Sequence, residues 1–123
     1  MQSAKKPACF LFVLFLCVSN RLWAEPVTDA TIIDGQTYFC SQSGISVERG
    51  DQLHLVYQPD FRSVCLVGYG CTSLLVGGGK PEISGQVGIL DLTNGQFNSI
   101  QVARDLVYAV DVRDNKAALA CAD

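Results

Sequence analysis

The sequence predicts an all-β protein, and three observations carry the prediction. After the first 24 residues no stretch shows the i, i+3, i+4 apolar spacing of an amphipathic helix. Short runs rich in Val, Ile, Leu, Tyr and Phe alternate with Gly, Asn and Asp turns instead. A phrase of turn, strand, glycine and second strand then recurs along the chain. With 123 residues, 49% hydrophobic and 17% charged, the chain suffices for one small domain and is too short for a large multi-domain enzyme.

The first element is a leader. Lys5 and Lys6 form a positive segment, Ala8 to Val18 is an apolar run, and Leu22-Trp23-Ala24 precedes Glu25-Pro26. This is the layout of a secretory signal peptide over residues 1–24, with Ala24 at the cleavage site. About 11 apolar residues fall short of the roughly 20 that a spanning helix needs. The expected product, residues 25–123, is a single domain that is periplasmic or secreted, with no membrane contact once the leader is removed. Of the nine basic residues Lys5, Lys6 and Arg21 leave with the leader, while all twelve acids remain, so the mature net charge is six minus twelve, or −6. That balance excludes a nucleic-acid binder, which needs a basic face to displace phosphate counterions. It favours a basic protein partner, because opposite fields steer association.

Strands are predicted at Gln36–Cys40, Ile45–Val47, Gln52–Gln58, Ser63–Val67, Ser73–Val76, Gln86–Asp91, Phe97–Val102, Leu106–Val112 and Ala117–Ala122. Asp34-Gly35, Arg49-Gly50-Asp51 and Asp114-Asn115-Lys116 mark turns between them. Asn94-Gly95 reads as a two-residue hairpin turn with positive φ at both positions. Gly77–Gly85 reads as the longest loop.

Four of the six cysteines survive removal of the leader: Cys40, Cys65, Cys71 and Cys121. An even count in a short exported chain reads as two disulfides. Cys65 and Cys71 flank Gly68 and Gly70, which predicts a local bridge and leaves Cys40 to pair with Cys121. The second bridge would close a loop of about 80 residues and contribute roughly 4 kcal/mol in the chain-entropy model. No Cys-x-x-Cys is present and His54 is the single histidine, so neither a metal site nor a cofactor is expected.

The repeated phrase begins at Asp34-Gly35 and runs to Cys40, with Gly44-Ile45-Ser46-Val47 after it. A second copy begins at Gly70-Cys71 and runs to Val76, with Gly88-Ile89-Leu90-Asp91-Leu92 after it, and a third spans Asp114–Asp123. Cys40, Val76 and Cys121 then stand at equivalent places, 36 and 45 residues apart. Asp111–Asp123 and Gly88–Gly95 resemble the strand pairs of bacterial β-propeller repeats, whose period is about 40–50 residues. The resemblance implies two to three propeller-blade-like antiparallel sheets. Ala118-Leu119 departs from the aromatic usual in such repeats, and the third copy lacks its last strands. A closed propeller needs at least four blades, so the sheets are not expected to close, and a piece of a longer chain is one reading of that. An unrelated β-sandwich with two disulfides fits the alternation as well.

Catalysis is not expected. A Ser-His-Asp or Cys-His site would depend on His54 alone, and no Gly-x-Ser-x-Gly elbow exists. Gly77-Gly78-Gly79-Lys80-Pro81 fails as a phosphate loop, because Pro81 stands where a Ser or Thr should follow the lysine. The same segment, carried on a rigid β scaffold, is the expected binding element, with Lys80, Glu82, Ile83, Ser84 and Gly85 as contacts. In plan — leader, size, β repeats and protruding loop — the chain is similar to periplasmic immunity proteins that protect bacteria from peptidoglycan amidases delivered by type VI secretion. That resemblance implies a non-catalytic inhibitor whose loop occludes the active site of a basic periplasmic hydrolase or toxin. The alternative is a structural or interaction subunit, or fragment, of a larger β-propeller protein, for which self-association is expected.

Overall fold

Ten strands make up most of the computed structural model, which describes residues 26–122. Sheet one is the meander β1 (Val27–Ile33), β2 (Gln36–Ser41), β3 (Gly44–Arg49) and β4 (Gln52–Tyr57). Sheet two repeats the plan with β5 (Arg62–Tyr69), β6 (Ser73–Lys80), β7 (Ser84–Asp91) and β8 (Phe97–Ala103). Sheet three is the hairpin of β9 (Val107–Arg113) and β10 (Lys116–Cys121). All pairings are antiparallel between consecutive strands, no sheet closes on itself, and no helix occurs among the described residues. The leader expected over residues 1–24 lies outside the described residues.

The turns follow from local chemistry. Asp34-Gly35 and Asp114-Asn115 have positive φ at both central positions, the I′ geometry whose twist matches the flanking strands. Asn94-Gly95 behaves differently. Only Gly95 has positive φ, and the connection spans Leu92–Gln96. The Asp91 carboxylate accepts from the Thr93 N–H and hydroxyl, and the Asn94 side chain accepts from Gln96 N–H, so side-chain caps replace the two-residue turn.

The sheets stack face to face. Tyr38 and Cys40 of β2 and Ile45 and Val47 of β3 pack against Leu66, Leu74, Val76 and Leu90 of sheet two. Tyr57 and Phe97 close the outer margin with ring centroids 4.8 Å apart. Each fully buried Val, Leu or Ile contributes roughly 1.5–3 kcal/mol relative to exposure. Polar side chains fix the register between sheets one and two. The Asp29 carboxylate accepts from Leu66 N–H at 3.1 Å, and the Ser63 hydroxyl donates to Ser41 C=O at 2.8 Å. The Thr28 hydroxyl donates to Val64 C=O at 2.6 Å, with Cys40 C=O 3.2 Å away.

The opposite face of sheet two receives β9. A Cβ at Gly77 would lie 2.8 Å from Cys65 Sγ and 2.9 Å from Val107 Cγ1, so only glycine lets β9 approach this closely. Gly77 is therefore a strand residue in a tight interface with β9, Gly78 and Gly79 are strand residues crowded by the Arg62 and Ser84 carbonyls, and the long loop expected over Gly77–Gly85 shortens to a turn at 81–83.

The two expected disulfides are absent. All four described cysteines are free thiols, with Cys40 and Cys65 buried and Cys71 exposed. Cys65 lies on β5 with its thiol directed at Val107 C=O, 3.8 Å away, whereas Cys71 sits in the turn beyond the end of that strand. Four extended residues from Cys65 to Tyr69 already cover about 13 Å, beyond the roughly 4.4–6.8 Å between bridged Cα atoms. Cys40 belongs to the core between sheets one and two, while Cys121 pairs with Val107, whose side chain packs on the far face of sheet two. Sheet two stands between them. The repeat alignment is also off by one residue, because the hairpin-closing pairs Ile33–Gln36, Tyr69–Ser73 and Arg113–Lys116 align Cys40 with Gly77 and Ala120. A one-residue slip moves a side chain to the other face of its sheet.

Candidate functional site

The turn between β6 and β7 is the most sharply built projection among the candidate residues. Pro81, Glu82 and Ile83 form it, Ile83 N–H donates to Lys80 C=O at 2.9 Å, and Glu82 adopts a left-handed φ of 64°. Asp105, in the link between β8 and β9, clamps the turn from outside. Its Oδ1 accepts from Glu82 N–H at 2.8 Å and from Leu106 N–H at 2.7 Å. These two donors hold the Asp105 carboxyl below the usual carboxylate range. The turn is thereby a fixed knuckle, with its conformation set by a second element of the fold.

The expected contact residues divide into two groups. Lys80, Glu82 and Ile83 are exposed, and Ile83 retains 68% of its surface, the largest value among the exposed large hydrophobics of the described residues. Ser84 and Gly85 are buried. Gly85 lies under the 103–107 link, where a Cβ would meet Asp105 C=O, and Ser84 Oγ lies 3.3 Å from Gln86 Nε2. The available surface is therefore one apolar residue flanked by one cation and one anion, with Arg104 exposed on the neighbouring link.

The other candidates stand apart. His54 is exposed on β4, opposite Val47, and a register shift between Ile45 and Ser46 turns Tyr57 toward the core and leaves Leu55 59% exposed. Cys40 is pushed up to about 11 by burial and by the Asp29 carboxylate, against the pull of hydrogen bonds with Ser63 and Thr28. Cys65 is pushed up to about 12 by burial, with Cys40 and Asp29 adding to the effect. Thiols so poised stay protonated near neutrality, which removes their nucleophilic form. Cys71 opens on a shallow cavity of about 160 Å³ between sheets one and two, lined also by Asp34, Gln36, Tyr38 and Thr93. Among the described residues no three His, Cys, Asp or Glu side chains converge in a way that would hold a metal ion.

The residue that sequence reading missed is Asp105. The signal was faint: an Asp after Arg104 in a short link looks like any turn residue, and its partner Glu82 is 23 positions away. No protein-family model, no curated protein and no solved structure matches this chain.

Proposed function

We propose that the chain is an exported, non-catalytic binding protein of the immunity or inhibitor kind, which seats the 81–83 knuckle in the cleft of a basic periplasmic peptidoglycan amidase. The observation that carries this reading is the clamped turn with Ile83 at its tip. A rigid apolar residue on a pre-organised loop loses little conformational entropy on binding. Lys80 and Glu82 flank it as orienting charges, and a mature charge of −6 would steer the chain to a cationic enzyme.

The test is inhibition of the amidase by purified chain. Ile83→Asp combined with Glu82→Gly, which suits the left-handed φ at 82, should weaken inhibition by at least tenfold while thermal stability is retained. Undiminished inhibition by this variant rejects the assignment of the knuckle.

A second reading has its own observation. Sheets one and two are four-stranded meanders, and their first strands β1 and β5 pack beside each other as β5 and β9 do, in the manner of propeller blades. In that reading the chain is a structural subunit or part of a larger propeller-like assembly. Light scattering separates the two: a monomer that inhibits supports the first, and a defined higher assembly without inhibition supports the second.

A further inference from the structure

Three turns meet at one end of the interface between sheets one and two. The β1–β2 hairpin brings Ile33, Asp34 and Gln36, the β5–β6 turn brings Cys71 and Thr72, and the β7–β8 connection brings Leu92 and Thr93. With Tyr38 they wall the cavity of about 160 Å³, the share of roughly five water molecules at about 30 Å³ each. Both ends of the described chain leave from the other end of the strands: Val27 pairs with Ser41, and Ala122 N–H donates to Leu106 C=O next to Asp105.

Tyr38 carries a polar group without a partner. Its side chain is 8% exposed and belongs to the core that the two sheets share, yet among the described residues its hydroxyl makes no hydrogen bond. Buried hydroxyls are as a rule hydrogen-bonded. A strand side chain stands roughly perpendicular to its sheet, so the Tyr38 ring lies in the core and the hydroxyl at its far end meets the cavity. The Asp34 carboxylate on the same wall also has no hydrogen bond among the described residues.

The wall selects by charge. Among its residues Asp34 alone is charged, and no Lys, Arg or His faces it. A second carboxylate, Asp91, stands behind Thr93, whose hydroxyl donates to it. An ammonium is attracted to this cavity and an anion repelled. Ile33 and Leu92 offer apolar contact to a short methylene arm, and the exposed Cys71 thiol opens on the same space.

We propose that Cys71 is a modification site for small cationic thiols, held as a mixed disulfide whose aminoalkyl arm lies in this cavity. The Cys71 thiolate attacks one sulfur of an aminothiol disulfide, and a new S–S bond forms as the old one breaks. The second aminothiol leaves as its thiolate and takes up the proton that Cys71 released, so the exchange needs no further oxidant or reductant. A two-carbon arm with its sulfur and nitrogen fits the volume. Its ammonium donates to the Asp34 carboxylate and to the Tyr38 hydroxyl oxygen. Cys71 and the 81–83 knuckle lie beyond opposite ends of β6, so failure at either site leaves the other standing.

The test is thiol–disulfide exchange of the full chain with cystamine, with neutral bis(2-hydroxyethyl) disulfide and with anionic dithiodiglycolate, read at each cysteine by peptide mapping. At Cys71 of the native chain the equilibrium should favour the cationic arm over the neutral one at least tenfold, with the anionic arm last. At Cys121, or at Cys71 in urea, the preference should stay below threefold. Asp34→Asn, which suits the left-handed φ of 52° at that position, and Tyr38→Phe should each lower the native preference at least threefold. Asp60→Asn removes the same charge from the exposed segment after β4 and should leave the preference in place. Equal preference in native and unfolded chains overturns the proposal, as does a preference that survives both Asp34→Asn and Tyr38→Phe. A loss as large in Asp60→Asn would reduce the effect to net charge and overturn it too.

Discussion

Substituting Gly77 by alanine isolates the packing of β9 on sheet two. The added methyl would stand 2.8 Å from Cys65 Sγ, 2.9 Å from Val107 Cγ1 and 3.0 Å from Val110 Cγ1. Ordinary carbon contacts lie at about 3.5–4.0 Å, so three atoms must each give way by roughly 0.5–1 Å. Val107 is fully buried and Cys65 nearly so, which leaves no free direction for either. Overpacking of this kind costs about 1–3 kcal/mol. For a domain of this size each kcal/mol moves the midpoint by about 4–8 °C, so Gly77→Ala should lower the melting temperature by roughly 5–20 °C. Circular dichroism melts measure it, and a cycle with Val107→Ala identifies the cause. Val107→Ala alone destabilises by the burial of its methyls, about 0.8 kcal/mol each, with a cavity penalty in addition. In the Gly77→Ala background that loss should shrink by about 1 kcal/mol, because the clashing Cγ1 is gone. Strict additivity, or a Gly77→Ala melt within a degree or two of the parent, would refute the account of why a glycine occupies position 77 of the strand.

The thiols give two further predictions. In the native protein a disulfide reagent should modify Cys71 first, with Cys40 and Cys65 reacting only on unfolding; early modification of Cys65 would contradict its burial under β9. Both buried thiols have folded pKa values raised above 9.0, so the native state holds its protons longer than the unfolded chain. Their contribution to stability is whole below pH 9 and is lost as pH rises toward about 11 for Cys40 and about 12 for Cys65. Denaturant titrations from pH 8 to 11 should show stability falling more steeply in the parent than in a Cys40→Ala, Cys65→Ala variant, and equal slopes would count against that assignment. Asp105→Ala should accelerate exchange of the Glu82 and Leu106 amides while the strands stay protected. Unaltered exchange at both would mean that the turn holds itself.

How much of this was legible in the sequence depends on what the signal measures. The all-β class and the turns at Asp34-Gly35 and Asp114-Asn115 follow from residue chemistry that acts over a few positions, and they appear as expected. Strand β1 was not, because Pro26, Asp29 and Ala30 dilute its β character, although Val27, Thr31 and Ile33 already share its period of two. Gly77-Gly78-Gly79 looked like a loop because glycine lacks strand propensity. The reason for a glycine at 77 is a strand that arrives 30 residues later, and no local window contains it. Counting cysteines paired Cys40 with Cys121 by elimination, whereas the fold sets sheet two between them. At the knuckle, exposure separated Lys80, Glu82 and Ile83 from Ser84 and Gly85, a division that the sequence order hides. Asp105 acts only through its distance from Glu82, which is a property of the fold.

The 81–83 knuckle is proposed to engage a periplasmic cell-wall amidase. The most direct measurement is co-purification of the full chain from the periplasm of its source, run beside the Glu82→Gly, Ile83→Asp variant and quantified by mass spectrometry. The account predicts a stoichiometric peptidoglycan amidase with the parent and its loss with the variant. Recovery of the same hydrolase with both proteins, or of no hydrolase with the parent, would contradict it.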